Sequence, residues 1–337
     1  MPILKPVPTT MRAVLLTSIG GTEKLQHIDS QPTPKPSDGQ LLVRNNFSGF
    51  NFVDVYYRTG AYPSPSGYPL ILGQEGIGVV VAAHEKNTDG FQVGDGTVWA
   101  GQAGYAEFTI VPAMRAIRVP PEISDKDAVG SHLVGMTALS LVKEAFPASK
   151  GQTVLVHAAA GGVGSFLCQI LRNEGVNVIA TAGGAEKCAV ALDSGAIHVI
   201  DYRASDGPGW AHKVLELTNN QGVDAIYDSV GKDTWKDSIE VAKRKGKVVF
   251  YGSTSGPVPP LDLSLIRAKN LSVIQPTLPM YIATRKELEF YAHGVFDLLK
   301  QGKLKVKTTR LYSLEEVAQA HKDMESRVTN GKLLLKL

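Results

Sequence analysis

The sequence predicts an α/β protein with two domains, one rich in β-strands and one built on a doubly wound parallel sheet. Its 337 residues exceed one ordinary domain and suit two. Residues 11 to about 130 are interrupted by Gly and Pro and contain short β-like runs, as in a barrel or sandwich. From about 135 to 275, strands alternate with helices, which is typical of a doubly wound sheet.

Short apolar runs predict the strands of both domains. Those of the β-rich part are Met11–Leu16, Gln40–Arg44, Gly76–Val81 and Tyr105–Val111. Those of the alternating part are Val154–Val156, Val176–Thr181, His198–Ile200, Ala225–Tyr227, Val248–Tyr251 and Leu271–Ile274. The basic run Lys243–Lys247 is expected to form a turn that enters the fifth of these six strands.

The end of the chain is expected to belong to the β-rich domain. Two helical segments, Ile282–Gln301 and Leu314–Arg327, precede a strand at Lys332–Lys336. Because six strands already complete the parallel sheet, this last strand should return to the first domain. The expected boundaries are therefore 1–134 with 276–337 for the β-rich domain and 135–275 for the parallel-sheet domain.

A glycine-rich turn follows the first strand of the alternating part. Its pattern, Ala159-x-Gly161-x-x-Gly164, lies between the strand Val154–Val156 and a helix expected at Gly164–Arg172. Glycines in such a turn let the backbone approach a pyrophosphate, which then lies on the exposed amides and the positive dipole of the helix N-terminus. We therefore expect a dinucleotide site that includes Ala160, Gly161, Gly162, Val163 and Gly164.

The segment beyond the second strand decides which dinucleotide fits. NAD-binding domains place an Asp or Glu there for the adenosine ribose hydroxyls, whereas this chain has Ala182-Gly183-Gly184. Lys187 follows near the start of the next expected helix, and Tyr202 and Arg203 follow the third strand. A lysine, a tyrosine and an arginine around one phosphate, with Gly183 in place of a carboxylate, favour NADPH. The alternative is that Lys187 and Arg203 are solvated surface charges.

Composition and charge argue against several classes of protein. The formal charge of +3 is too small to indicate a nucleic-acid partner. No window of about 18 apolar residues is present, and prolines interrupt the segment 1–10, which is unlike a signal peptide. Two cysteines, Cys168 and Cys188, cannot form a disulfide framework. A reducing cytoplasm is therefore the expected location.

Five segments are more specific together than any one of them alone: Asn51–Pro63, Gly73–Glu75, His157–Gly164, Tyr227–Gly231 and Glu325–Gly331. With them the chain resembles the medium-chain dehydrogenase/reductase superfamily, and within it the quinone oxidoreductase (zeta-crystallin-like) family. The resemblance extends from about residue 11 to the C-terminus. It implies a GroES-like β-rich catalytic domain and a Rossmann domain.

The resemblance also bears on metal binding. Zinc-dependent members use a Cys, a His within a Gly-His-Glu triplet and a second Cys, and they leave one position open for the alcohol. At those places this chain has Asn51, Gln74 and, approximately, Leu133. Neither an amide nor an alkyl chain is a usual zinc ligand, and no cysteine precedes Ser165. We therefore expect a reductase that uses no metal.

Without zinc, the chemistry implied by the resemblance is the reduction of quinones, ortho-quinones among them. A simple ketone needs a Lewis acid for its developing alkoxide, whereas a quinone delocalises the added electron density over a ring that becomes aromatic. The catalytic residues implied are Asn51, Tyr56 and Tyr62. The amide would orient the ribose or carboxamide, and a phenol would donate to a carbonyl oxygen. Alternatively, Tyr56 and Tyr62 are packing aromatics beside Phe52.

The resemblance implies further cofactor contacts besides Asn51. Gly135 and Thr137 begin the helix that leads into the Rossmann domain, and the matching threonine lies near the nicotinamide amide in the family. Arg327 resembles an arginine that completes the cofactor site late in the chain, with a surface ion pair as the alternative. The residues after the fourth and fifth strands should border the nicotinamide end. They are Ser229, Val230, Tyr251, Gly252, Ser253 and Thr254.

Two other functions stay open. One is the reduction of enones or other activated alkenes, which is also zinc-free and NADPH-dependent. The other is a binding or structural role, since some zeta-crystallin relatives accumulate in the eye lens or bind RNA. The low charge and the lack of a basic stripe argue against RNA as the main partner. A homodimer is expected, because Rossmann domains of this superfamily often pair through the last strand, here Leu271–Ile274.

Overall fold

The computed structural model describes residues 6–64, 66–84, 86, 88–204 and 209–337. Part of the proline-interrupted segment 1–10, residues 1–5, lies outside the described residues. Unit 1 comprises the described residues of Met1–Leu133 together with Thr284–Lys300 and Lys305–Leu337. Unit 2 comprises those of Val134–Ala283 together with Gln301–Leu304, so it reaches beyond residue 275, where we expected the domain to end.

Strands and helices are numbered separately in chain order. The strands are β1 Thr10–Leu16, β2 Leu25–Pro32, β3 Gln40–Gly49, β4 Leu70–Ile71, β5 Glu75–Ala83, β6 Gly96–Ala100, β7 Phe108–Pro112, β8 Ala116–Arg118, β9 Thr153–Val156, β10 Asn177–Ala182, β11 His198–Asp201, β12 Val223–Asp228, β13 Ala242–Phe250, β14 Ser272–Ile274, β15 Thr308–Tyr312 and β16 Lys332–Lys336. The helices are α1 Phe52–Thr59, α2 Asp125–Ser140, α3 Gly162–Asn173, α4 Ala185–Asp193, α5 Trp210–Leu217, α6 Trp235–Val241, α7 Leu263–Arg267, α8 Leu278–Tyr281, α9 Arg285–Lys300 and α10 Val317–Glu325.

The described part of unit 1 contains a three-stranded sheet, β2-β1-β4, and a seven-stranded sheet. The larger sheet has the order β15-β16-β3-β5-β6-β8, and β7 also pairs with β3. The last strand of the chain, β16, therefore lies beside β3 and pairs Leu334 with Gly49. One core of unit 1 packs aromatic and aliphatic side chains together: Leu16, Phe50, Tyr105, Tyr312 and Leu335.

The described part of unit 2 is built on a six-stranded parallel sheet of order β11-β10-β9-β12-β13-β14. This is the strand order of a Rossmann domain, so the expected doubly wound sheet is confirmed. The order reverses between β9 and β12, and ligands in open α/β sheets bind outside the carboxyl ends of the strands at such a point. Its core contains Leu155, Ile179, Ile200, Ile226 and Val248.

Several element boundaries differ from the sequence-based expectation, and each difference has a local cause. The helix expected from Ile282 begins at Arg285, because Thr284 and Glu287 cap each other through Thr284 N to Glu287 Oε2 (2.9 Å) and Glu287 N to Thr284 Oγ1 (3.3 Å). The strand expected from Tyr105 begins at Phe108, because the Tyr105 backbone bonds instead to Leu72 and Val14.

The residues expected to form a turn, Lys243–Lys247, lie within β13, which starts at Ala242, but the strand is irregular there. Its pairing with β12 passes from Ala242 to Lys247 while β12 advances only from Val223 to Ala225, and Lys245 has φ at +65°. A hydrogen bond from Lys245 N to Lys269 O (2.8 Å) accompanies this irregularity. Within the described ranges, every helix is too short or too polar to cross a lipid bilayer.

Candidate functional site

The glycine-rich turn joins β9 to α3 in unit 2. Helix α3 begins at Gly162, two residues earlier than expected, so the amides of Gly162, Val163 and Gly164 lie in its first turn and have no acceptor within the helix. Ala160 precedes them in the turn and is buried, and Gly161 N closes the turn on Ala158 O at 2.9 Å. The amides of Gly162, Val163 and Gly164, which lack an acceptor within the helix, fit a pyrophosphate.

Gly164 is required by close packing of the helix start on the turn. A Cβ at this position would collide with the carbonyl oxygen of Ala158 and lie 2.8 Å from the Cα of Ala159. Both atoms belong to the backbone, so they have little freedom to move aside. At Gly161 a Cβ would lie 3.2 Å from the Ala158 oxygen, which is a milder contact.

A buried polar network holds the turn, and sequence reasoning missed it. The His157 ring is buried, with Nδ1 2.9 Å from Thr181 Oγ1 and Nε2 3.1 Å from Ser238 Oγ. Ser238 Oγ donates in turn to Asp228 Oδ2 at 2.8 Å. Burial lowers the pKa of His157 below its ordinary value, so the ring is neutral at pH 7. The network links the carboxyl ends of β9, β10 and β12, where the cofactor is expected.

The loops after β12 and β13 lie against each other. Thr254 N donates to Ser229 O at 3.0 Å, and Tyr251 N donates to Asp228 O at 2.8 Å. A Cβ at Gly252 would lie 2.9 Å from Ser229 O, so the two loops touch through their backbones. The structure thus brings together the predicted group Ser229, Val230, Tyr251, Gly252, Ser253 and Thr254.

The residues of the predicted phosphate site follow the strands β10 and β11. A Cβ at Gly183 would lie 2.6 Å from Tyr202 Oη and 3.0 Å from Arg203 Nε, so both side chains rest on this glycine. Lys187 is the third residue of α4, which begins at Ala185. A phenol and a guanidinium beside Gly183, with a lysine in the first turn of the helix that follows, are groups that suit a 2′-phosphate.

Asp201 is a carboxylate beside this cluster that sequence reasoning did not consider. Its Oδ1 accepts from Gly184 N and Arg203 N, both at 2.9 Å. These bonds lower the pKa of the Asp201 carboxyl, the bond from Gly184 most of all. The carboxylate therefore braces the loop that presents Gly183 and Tyr202.

Three predicted cofactor residues lie on other elements. Gly135 and Thr137 are on α2, where Gly135 is buried and Thr137 half-buried. Arg327 belongs to unit 1 and follows α10, with φ at +58°. Their cofactor contacts stay predictions.

The predicted catalytic residues of unit 1 lie at and beyond the start of α1. Asn51 precedes the helix and is 7% exposed, Tyr56 is 9% exposed and Tyr62 40%. The Tyr56 ring lies 5.3 Å from that of Phe52 and 5.0 Å from that of Tyr62, centroid to centroid. These aromatics do pack together, as the alternative interpretation has it, and the catalytic role of the phenols stays a prediction.

Two of the three places that would hold zinc converge on the carboxylate of Glu75. Asn51 Nδ2 donates to Glu75 Oε1 at 2.8 Å, and the backbone N of Leu133 donates to Glu75 Oε2 at 2.9 Å. Lys332 was missed by sequence reasoning. Its buried ammonium lies 2.7 Å from both Asn51 Oδ1 and Glu75 Oε1.

A second buried carboxylate, Asp54, fixes the same segment. Asp54 Oδ2 accepts from Asn51 N at 3.0 Å and from the Tyr105 hydroxyl at 2.9 Å, and Oδ1 accepts from Gly73 N at 3.2 Å. Burial raises the pKa of Asp54 to about 7, although the bond from Asn51 opposes this shift. Asp54 therefore anchors the start of α1 to the turn before Glu75.

Two family models match the chain. An alcohol dehydrogenase GroES-like domain matches residues 37–121, and a zinc-binding dehydrogenase domain matches residues 162–292. A quinone oxidoreductase of Pseudomonas aeruginosa is 37% identical over 96% of this chain and 99% of its own length. Quinone oxidoreductase 1 of Escherichia coli is 36% identical over 94% of this chain and 96% of its own length.

The chain belongs to the quinone oxidoreductase family of the medium-chain dehydrogenases/reductases. Solved structures agree: Escherichia coli quinone oxidoreductase complexed with NADPH matches with a TM-score of 0.91 at 34% identity, covering 97% of this chain and 100% of that one. A mycobacterial protein complexed with NADPH matches with a TM-score of 0.92 at 36% identity over the same shares. The expected family and the GroES-like and Rossmann domains are confirmed, and the chain is an oxidoreductase.

One of the matching family models describes zinc-binding dehydrogenases, so we tested whether the residues of this chain suit zinc. Among the residues that the structure describes, no three His, Cys, Asp or Glu side chains are grouped so that they could hold a metal ion. The ligand places present an amide at Asn51 and only a backbone N–H at Leu133, and Lys332 brings a positive charge to the same carboxylate. This donor set does not suit zinc.

His132 is a buried titratable group beside this cluster. It lies on α2 and is fully buried, and neither ring nitrogen has a hydrogen-bond partner among the described residues. Burial lowers its pKa from 6.5 to about 4, although the charge of Glu75 opposes the shift. Because the folded pKa is depressed, the neutral ring's contribution to stability is present above pH 6.5 and is lost as the pH falls towards 4.

We expect His132→Leu to weaken the acid sensitivity of the fold. Relative to wild type, its free energy of unfolding should rise by roughly 3 kcal/mol between pH 7 and pH 4, at about 1.4 kcal/mol for each unit of pKa shift. Urea denaturation at pH 7, 5.5 and 4 measures this. Asp54 titrates in both proteins alike, so the difference isolates His132, and the exposed His293→Gln is the control. Parallel pH curves for wild type and His132→Leu would contradict the assignment.

Proposed function

We propose that this protein transfers reducing equivalents from NADPH to quinones, ortho-quinones among them, in the cytoplasm and without a metal. The observation on which the proposal depends is the Lys332 ammonium, which contacts Glu75 and also Asn51, one of the positions where the resemblance expects a zinc ligand. An acceptor that needs no Lewis acid fits such a site. Two free thiols, Cys168 and Cys188, agree with a reducing compartment.

The residues of unit 2 support NADPH as the cofactor, which supplies a hydride when it is bound. The turn amides of Gly162 to Gly164 suit its pyrophosphate, and the cluster of Gly183, Lys187 and Tyr202 suits its 2′-phosphate. Two relatives with the same fold were solved with NADPH. In unit 1, the half-exposed ring of Tyr62, which packs against the buried ring of Tyr56, offers apolar surface for an aromatic acceptor.

Reduction of activated alkenes is a second candidate, because a 2-haloacrylate reductase is 34% identical over 89% of this chain. Such an acceptor also takes up a hydride at a conjugated carbon, so it places the same demands on the site. The side chains of Asn51, Tyr56 and Tyr62 are all neutral, so their charge does not favour a quinone over an activated alkene.

Steady-state oxidation of NADPH with a panel of acceptors separates these functions. We expect quinones, ortho-quinones among them, to give a higher kcat/KM than enones and haloacrylates, because a quinone gains aromaticity on reduction. A higher kcat/KM for alkenes would replace the quinone proposal with the second candidate. The absence of turnover with every acceptor would contradict both.

Lys187→Ala tests the choice of cofactor. A charge-assisted hydrogen bond contributes about 1.5–3 kcal/mol to binding. The apparent dissociation constant for NADPH should therefore rise roughly tenfold to a hundredfold. NADH lacks the 2′-phosphate, so its constant should barely change. The exposed Lys236→Ala, on another helix of unit 2, is the matched control. Equal weakening of NADH and NADPH would mean that Lys187 acts through folding or the pyrophosphate.

We also propose a homodimer that forms through β14. This strand ends the six-strand order, and in the described part of the chain no other strand pairs with its outer edge. Exposed apolar side chains lie on the neighbouring short helices, with Leu263 71% and Met280 74% exposed. Light scattering at micromolar concentration should give twice the chain mass of 36.1 kDa. A mass of one chain would contradict the dimer.

A further inference from the structure

We propose that the buried ammonium group of Lys332 is the internal cation of unit 1 and that it positions Asn51 for the reaction. The kinetic part of this inference rests on the proposed function, whereas the structural part does not. Lys332 is a positioning residue in this proposal, because it acts through Asn51 and Glu75.

The ammonium group has all three of its hydrogen bonds inside the protein. Lys332 is 3% exposed, and its Nζ donates to Glu75 Oε1 at 2.7 Å, to Asn51 Oδ1 at 2.7 Å and to Phe50 O at 3.0 Å. An ammonium has three donors and no acceptor, so this set leaves no N–H for a substrate. Its effect on the reaction must therefore pass through its neighbours.

The ammonium group determines how the side-chain amide of Asn51 is oriented. Its Oδ1 accepts from Lys332, while its Nδ2 donates to Glu75 Oε1 at 2.8 Å and to Gly49 O at 3.2 Å. A flipped amide would set an NH2 group against the ammonium, so only one orientation is compatible with Lys332. Asn51 immediately precedes α1, the helix that bears Tyr56.

Glu75 is the reason that a cation is needed. Its side chain is fully buried, and a carboxylate in that position is costly unless an opposite charge and hydrogen bonds satisfy it. Glycine at position 49 leaves room for it, since a Cβ there would collide with the Glu75 carboxylate. The strand β16 supplies the opposite charge through Lys332.

The first experiment measures stability. Lys332→Met removes the charge but keeps an unbranched side chain, and we expect its Tm to fall by about 10 °C, because it strands a buried carboxylate. The double variant Lys332→Met/Glu75→Gln removes both charges and should recover at least half of that loss. Lys336→Ala, an exposed lysine on the same strand, should leave the Tm unchanged. A Tm of Lys332→Met equal to that of wild type would overturn the proposal.

The second experiment is chemical rescue. Lys332→Ala leaves a space lined by Glu75 Oε1, Asn51 Oδ1 and Phe50 O, and methylammonium has the charge and the donors to fill it. We expect methylammonium chloride to raise the Tm of Lys332→Ala above the change that sodium chloride of equal concentration causes. The same salt should have no specific effect on wild type or Lys332→Met. An identical response of all three proteins would contradict a specific cation site.

The third experiment separates positioning from stability. In the folded double variant we expect kcat to fall roughly tenfold to a hundredfold, the scale of a small misplacement of a reacting group. The Kd for NADPH, measured by fluorescence titration, should change less than kcat does, because the residues expected at its phosphates belong to unit 2. Wild-type kcat in the double variant would overturn the positioning role. An inactive wild-type protein would instead overturn the proposed function, and the stability and rescue results would still decide whether Lys332 is the internal cation.

Discussion

The β-rich unit 1 depends on one buried charge, the carboxylate of Glu75. An uncompensated charge in that position would cost several kcal/mol, so the fold must bring partners to it. It does so from three distant parts of the chain: the Asn51 amide before α1, the backbone of Leu133 on α2 and the ammonium of Lys332 on β16. Satisfying one carboxylate thereby aligns the loop, the helix and the last strand that together form the proposed site.

The same principle organises the parallel-sheet unit. Asp228 is fully buried at the end of β12, and its oxygens accept from Val230 N (2.8 Å), Thr234 Oγ1 and Ser238 Oγ. Ser238 in turn contacts His157, immediately before the glycine-rich turn. A buried carboxylate thus connects the turn that suits the pyrophosphate with the loop expected at the nicotinamide. Hydrogen bonds of this kind specify one loop geometry, because breaking any of them leaves a buried polar group unpaired.

Local patterns in the sequence predicted the parallel sheet and its turn, because strand length, glycine spacing and helix starts are encoded by neighbouring residues. The proposed phosphate site at Gly183 and Tyr202 could be predicted for the same reason, since each residue follows a predicted strand of the parallel sheet. The role of Lys332 could not be predicted from local patterns. A lysine beside three leucines looks like an ordinary strand end, and its partner Glu75 is 257 positions away in the sequence. His157 and Asp228 likewise meet through Ser238, and no local pattern indicates such a contact.

An internal ammonium takes the place of a metal in this proposal, and the most direct test is activity measured together with metal content. The protein would be dialysed against a strong chelator, its metals determined by elemental analysis, and its NADPH oxidation with an ortho-quinone compared before and after. We predict substoichiometric zinc and an unchanged kcat, since Asn51, Gln74 and Leu133 offer no zinc ligands. Stoichiometric zinc in the active protein, with activity lost on its removal and restored on its return, would contradict the metal-free site.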